Sequence, residues 1–105
     1  DADVEKAAAR CVVSAFSNSG QVCISLQRVY VNRAIADEFS KVFVEKTKAL
    51  VVGDPMDPKC DVGPMIDGKE LKRIDEWVQE AVAQGAVLAA GGRCDPWRSG
   101  QTDRP

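Results

Sequence analysis

One cysteine in this chain stands where a side chain can do chemistry. Cys23 follows Gly20, Gln21 and Val22 within residues 16–30, FSNSGQVCISLQRVY, where an alanine-rich helical pattern stops and a strand pattern begins. A side chain at such a junction is held at a surface without being buried in either element. A nucleophilic cysteine needs access, thiolate character and a donor for the oxyanion it creates. A glycine-flanked turn supplies the access, and the backbone N–H of Cys23 can serve as the donor. By composition alone Cys23 is one of four ordinary cysteines, with Cys11, Cys60 and Cys94, and buried inert cysteines are common. Its position sets it apart.

The other cysteines suggest less. They form no CxxC pair and the chain has no histidine, so no metal site is expected. Cys11 falls inside a helical apolar pattern and reads as a small core residue. The chain lacks the short, loop-rich character of a disulfide scaffold, so free thiols and a cytoplasmic setting are expected.

Elements around Cys23 follow from periodicity. Over residues 3–17, Val4, Ala7, Ala8, Cys11, Val12, Ala15 and Phe16 recur at helical spacing, and Asn18, Ser19 and Gly20 end the helix. Residues 24–31, with Leu26, Val29, Tyr30 and Val31, read as a short strand. A second helix places Ile35, Phe39, Val42, Phe43 and Leu50 on one face and Lys41, Glu45 and Lys48 towards water. Residues 53–64, GDPMDPKCDVGP, cannot be an element interior and must be an ordered loop. Asp67 and Glu70 form a capping pair for a third helix carrying Leu71, Ile74, Trp77, Val78, Ala81 and Val82, with Trp77 expected in the core. Gly85 closes that helix, and residues 86–90, AVLAA, read as a second strand. Helices alternating with strands across a crossover of about 50 residues predict an α/β fold with a parallel or mixed sheet.

At 105 residues with 45% apolar and 29% charged side chains, one globular domain or part of one is expected. A net charge of −2 argues against nucleic-acid and anionic-membrane partners, and no apolar run approaches the roughly 20 residues needed to cross a bilayer. Opening on Asp1, the chain is expected to be a processed or excised piece. Gly63 to Glu70 spell GxxxxGKE, one residue from a phosphate-binding loop. Glu70 replaces the Ser or Thr that would hold Mg²⁺, and its carboxylate would repel a phosphate.

Taken in order, these motifs resemble the catalytic domain of the aldehyde dehydrogenase superfamily. An alanine-rich helix, Phe16-x-x-x-Gly20-Gln21-Val22-Cys23, Arg28 five residues on, Gly53-Asp54-Pro55, Gly63-Pro64, a helix of the 69–82 kind and an Ala-x-Leu strand before Gly91-Gly92 appear in the family's sequence. Residues 1–93 are expected to form part of that domain, its helices packed on a mostly parallel sheet. Residues 94–105 form an irregular tail outside the resemblance.

The resemblance implies a small aldehyde as substrate and NAD or NADP as cofactor. It makes Cys23 the nucleophile, passing through a thiohemiacetal and a thioester to the carboxylic acid. It places Glu70 and Arg73 near the nicotinamide ribose, although both could equally be solvated helix-face charges. Arg28 could bind a substrate anion, with an internal ion pair the alternative. The water-activating glutamate, the second oxyanion donor and the nucleotide domain fall outside this chain, so the isolated chain is expected to be inactive. The competing expectation is a non-catalytic α/β piece that self-associates, forming a homo-oligomer, or docks on another chain through sheet edges left open.

Overall fold

Helix α1 (Val4–Phe16) begins where the Asp3 carboxylate accepts the Lys6 N–H at 3.0 Å, a cap worth about 1 kcal/mol. It ends at Ser17, whose backbone N–H and hydroxyl both donate to the Val13 carbonyl. Helix α2 (Ala36–Lys48) is entered through a 3₁₀ turn, Arg33–Ile35, where the Asn32 side chain accepts the Ala34 N–H. Asp37 and Glu38 in its first turn and Lys46 and Lys48 in its last complement the helix dipole.

The two helices pack on one another and make the core. Ala8 and Val12 of α1 and Phe39 of α2 are buried. The Phe39 and Phe43 rings stack at 5.8 Å between centroids, and Phe16 reaches Phe43 at 6.4 Å. Alanine at position 8 leaves no side chain long enough to hold the helices apart. Lys46 crosses to Glu5 at 2.6 Å. Cys11, expected in the core, is half-buried at its margin.

The computed structural model describes residues 2–92. They divide into one unit ending at Gly63 and a second starting at Pro64. The first unit is completed by the proline-rich loop, which is ordered as expected. A parallel bridge pairs Val52 with Val62. The Val51 carbonyl accepts the N–H groups of Asp61 and Val62, and the Asp61 carboxylate accepts the Val51 N–H at 2.8 Å. Asp54 and Asp57 each accept the N–H two residues on, which is how aspartate substitutes for a missing ladder in a turn.

In the second unit, α3 (Gly68–Ala83) starts at Asp67, whose carboxylate accepts the Glu70 N–H at 2.8 Å. It closes on Gly85 at φ +100°, with Gly85 donating to Val82 and Ala86 to Ala81, the paired bonds of a glycine-terminated helix. No residue of α3 is buried. Trp77, expected in the core, is 56% exposed. Its place on an apolar stripe decides which way it faces, whereas burial needs a second element over that stripe.

The expected sheet is not present among the described residues. Residues 24–31 and 86–90 run as chain without a β-ladder, leaving Ile24 84%, Tyr30 92% and Val87 90% exposed. A helix closes its own hydrogen bonds within the segment, whereas a strand can only close them on a neighbour. The Val52–Val62 bridge is the sole β-pairing among these residues. The described chain is helical.

Candidate active-site turn

Cys23 sits on the loop that folds back over the C-terminus of α1. The last carbonyls of a helix have no partner within it, and here the loop supplies them. Ser17 takes Val13, the Leu26 N–H reaches the Ser14 carbonyl at 3.1 Å, and the Ser25 hydroxyl reaches the Ala15 carbonyl at 3.3 Å. The helix end and the cysteine loop therefore satisfy each other.

The chain reverses within that loop through an unusual backbone run. Asn18, Ser19 and Gly20 are all left-handed, at φ +50°, +59° and +75°. Only glycine enters this region freely, and a Cβ on Gly20 would stand 3.4 Å from the Ala15 carbonyl oxygen. Asn18 and Gln21 clasp across the reversal. The Asn18 amide donates to the Gln21 carbonyl, while the Gln21 amide and N–H both donate to the Asn18 carbonyl. A hydrogen bond from the Ser25 N–H to the Val22 carbonyl, 2.9 Å, then closes a tight turn with Cys23 and Ile24 at its corner.

At that corner the thiol is exposed, whereas Cys11 and Cys60 are half-buried, and all three are free thiols. The Cys60 thiol donates to the Val62 carbonyl at 3.2 Å. Cys94 lies outside the described residues. Access, which the sequence predicted for Cys23, is present. Arg28 is exposed and forms no ion pair among the described residues. The internal pair expected for it is absent there.

The other expected site residues belong to the second unit. Glu70 and Arg73 are brought together one helical turn apart as an ion pair, and the Arg73 guanidinium lies 4.9 Å from the centre of the Trp77 ring. At the start of α3 the Glu70 amide is held by the Asp67 carboxylate. No group of three or more metal-ligating side chains occurs among the described residues. No helix among them is long and apolar enough to cross a membrane.

The hydroxyls and amides that hold the turn, from Ser17 to Gln21 and at Ser25, were not picked out from the sequence. Their signal was the run Ser-Asn-Ser-Gly-Gln directly after a helix. Short polar side chains there compete for backbone groups, but which carbonyls they reach depends on the folded loop.

Residues 1–104 match the family model of the aldehyde dehydrogenase family. The 3-sulfolactaldehyde dehydrogenase of Priestia aryabhattai is 53% identical over 95 residues, which cover 90% of this chain and 20% of that protein. The 3,6-anhydro-alpha-L-galactose dehydrogenase of Vibrio sp. (strain EJY3) is 44% identical over 93 residues, 89% of this chain and 19% of the relative. The solved glyceraldehyde-3-phosphate dehydrogenase GapN of Methanocaldococcus jannaschii, complexed with NADP, superposes with a TM-score of 0.88 at 41% identity, over 90% of this chain and 21% of its own. Other structural relatives include a complex with NAD+. The chain thus spans about a fifth of the length of the relatives it matches. From its helix, cysteine turn and loop to its sequence and backbone likeness, the chain belongs to the aldehyde dehydrogenase family.

Proposed function

We propose that the chain is the nucleophile-bearing segment of an NAD(P)-dependent aldehyde dehydrogenase, with Cys23 as the attacking thiolate. The observation that carries this reading is the exposed thiol at the corner of a turn fastened to α1, in a chain of this family. Cys23 attacks the aldehyde carbon, and its own N–H is available to the oxyanion that forms. NAD(P), when bound, would supply the hydride acceptor for that carbon, and Cys23 would hold the resulting acyl group as a thioester until water releases the carboxylate. Glu70 accepts from the nicotinamide ribose, and Arg73 holds the Glu70 carboxylate in place.

The names of several relatives support a narrower substrate class, although others name succinate semialdehyde or octanal. Sulfolactaldehyde, the open form of 3,6-anhydrogalactose and glyceraldehyde 3-phosphate all carry a hydroxyl on the carbon next to the aldehyde. A small 2-hydroxyaldehyde is the substrate proposed. In the complete enzyme, residues 24–31 and 86–90 join a mostly parallel sheet, which the likeness to solved relatives supports although no ladder forms among the described residues. A boundary after residue 93 belongs to the same proposal and rests on the loss of periodicity beyond it, against a family match that runs on to residue 104. Free thiols favour a reducing, cytoplasmic setting.

Rate-resolved alkylation with mass mapping tests the reading. Cys23 is expected to be labelled before Cys11 and Cys60, and faster labelling of Cys60 would remove its main support. The isolated chain is expected to show no aldehyde-dependent NAD(P) reduction. Loss of one oxyanion donor alone costs about a hundred- to a thousand-fold in rate, and the 105-residue chain spans only about a fifth of its relatives' length.

A second reading is favoured by the exposed apolar side chains of Ile24, Tyr30, Ile66, Trp77 and Val87. On its own the chain self-associates, as a homo-oligomer, or docks on another chain through these residues.

A further inference from the structure

We propose that Ser19 is a positioning residue for Cys23, an inference that rests on Cys23 being the nucleophile. The Ser19 hydroxyl, part-buried, donates to the Gly63 carbonyl at 2.6 Å, joining segments 44 residues apart in sequence. Gly63 ends the loop whose base is closed by the Val52–Val62 bridge and by the Gly53 N–H on the Val62 carbonyl at 3.0 Å. Downstream of Cys23, the turn is fastened to α1 through Ser25 and Leu26. Upstream, Ser19 fastens it to this second support. The cysteine thus sits between two anchors that meet different parts of the fold.

The backbone at Ser19 strengthens the argument. At φ +59° a residue with a Cβ is held against its preference, and such conformations persist only where the surroundings determine them. Glycine would adopt this backbone more readily but has no hydroxyl. Serine keeps the donor at the cost of the less favourable conformation. The clasp sets where the turn begins, and the Asn18–Gln21 bonds and the Val22–Ser25 turn carry that placement to Cys23.

Amide hydrogen exchange of the 105-residue chain by NMR, with Ser19→Ala, Ser19→Gly and Ser19→Thr, separates the explanations. Threonine keeps the donor and strains the backbone, while glycine relaxes the backbone and drops the donor. If the hydroxyl positions the turn, the Ser25 and Leu26 amides exchange about three- to ten-fold faster in the Ala and Gly variants and are protected in Thr. The Cys23 Hα–Hβ couplings then become averaged in Ala and Gly, while the amides of Ala8 and Val12 do not change. Protection in the order Gly, Ala, Thr would assign the effect to backbone strain and overturn the proposal. So would unchanged exchange in all three variants, or acceleration shared equally by α1. Alkylation of the unsubstituted chain decides the nucleophile reading independently of Ser19.

Discussion

Helices α1 and α3 are built alike and held differently. One has 13 residues and the other 16. Each starts from an aspartate, Asp3 or Asp67, that accepts the N–H three residues on, and each carries an apolar stripe. Yet α1 buries Ala8 and Val12, because α2 lays Phe39 and Phe43 against it, while α3 buries nothing and leaves Ile74, Trp77 and Val82 exposed. Caps and periodicity are enough to form a helix. Burial needs a second helix whose stripe meets the first. The chemistry follows the same division, since the Cys23 loop is fastened to a helix with a core beneath it. Glu70 and Arg73 pair with one another, and Arg73 also lies over Trp77, on a helix that buries no residue.

This contrast can be broken most sharply at Phe39. Phe39→Ala is expected to cost about 3 kcal/mol, the lower end for a phenylalanine truncated in a core, and so to melt α1 and α2 together while α3 keeps its helical NMR signals. A circular dichroism melt read alongside per-residue shifts checks this, and loss of α3 in the same transition would mean that its stability depends on the other unit. Next in size are the caps, at about 1 kcal/mol each. Asp3→Ala is expected to lower the midpoint of a cooperative melt. Asp67→Ala should only fray the start of α3, with no change in the α1–α2 transition.

Trp77→Ala sharpens the comparison by its smallness. An exposed ring with a cation over one face is worth about 0.5–1 kcal/mol, far below the Phe39 value. The same substitution should reduce self-association, seen as a lower scattering mass across a dilution series. A large thermal effect would show that Trp77 is packed against something in solution. The smallest effect belongs to the bridge between Glu5 and Lys46. Glu5 is largely exposed, so Glu5→Gln is expected to cost a few tenths of a kcal/mol at low salt and less at high salt. A thermal melt at two salt concentrations measures it.

Much of this was legible along the chain. Alanines and apolar spacing marked α1, the Asp67–Glu70 pair marked the start of α3, Gly85 marked its end, and three prolines marked the ordered loop. All of these act within a few residues of themselves, which is why they can be read without a structure. Cys23 was legible for a different reason. Its neighbours Gly20 and Gln21 follow a helix stop, and the order of motifs around it resembled a known family.

What the described residues do not realise depends on distant groups. Residues 24–31 have the composition of a strand, and composition cannot provide a neighbouring strand to accept its hydrogen bonds. Trp77 has the spacing of a core residue, and spacing cannot supply the element that would cover it. Three helices, their caps and the residue at the corner of the turn can be read along the chain, because helices and turns satisfy their backbone groups locally. Tertiary packing is what buries Phe39 and leaves Trp77 bare. It alone decided that the loop bearing Cys23 would close the end of α1, and that Ser19 would reach Gly63, because each of these joins groups that the chain keeps apart until it folds.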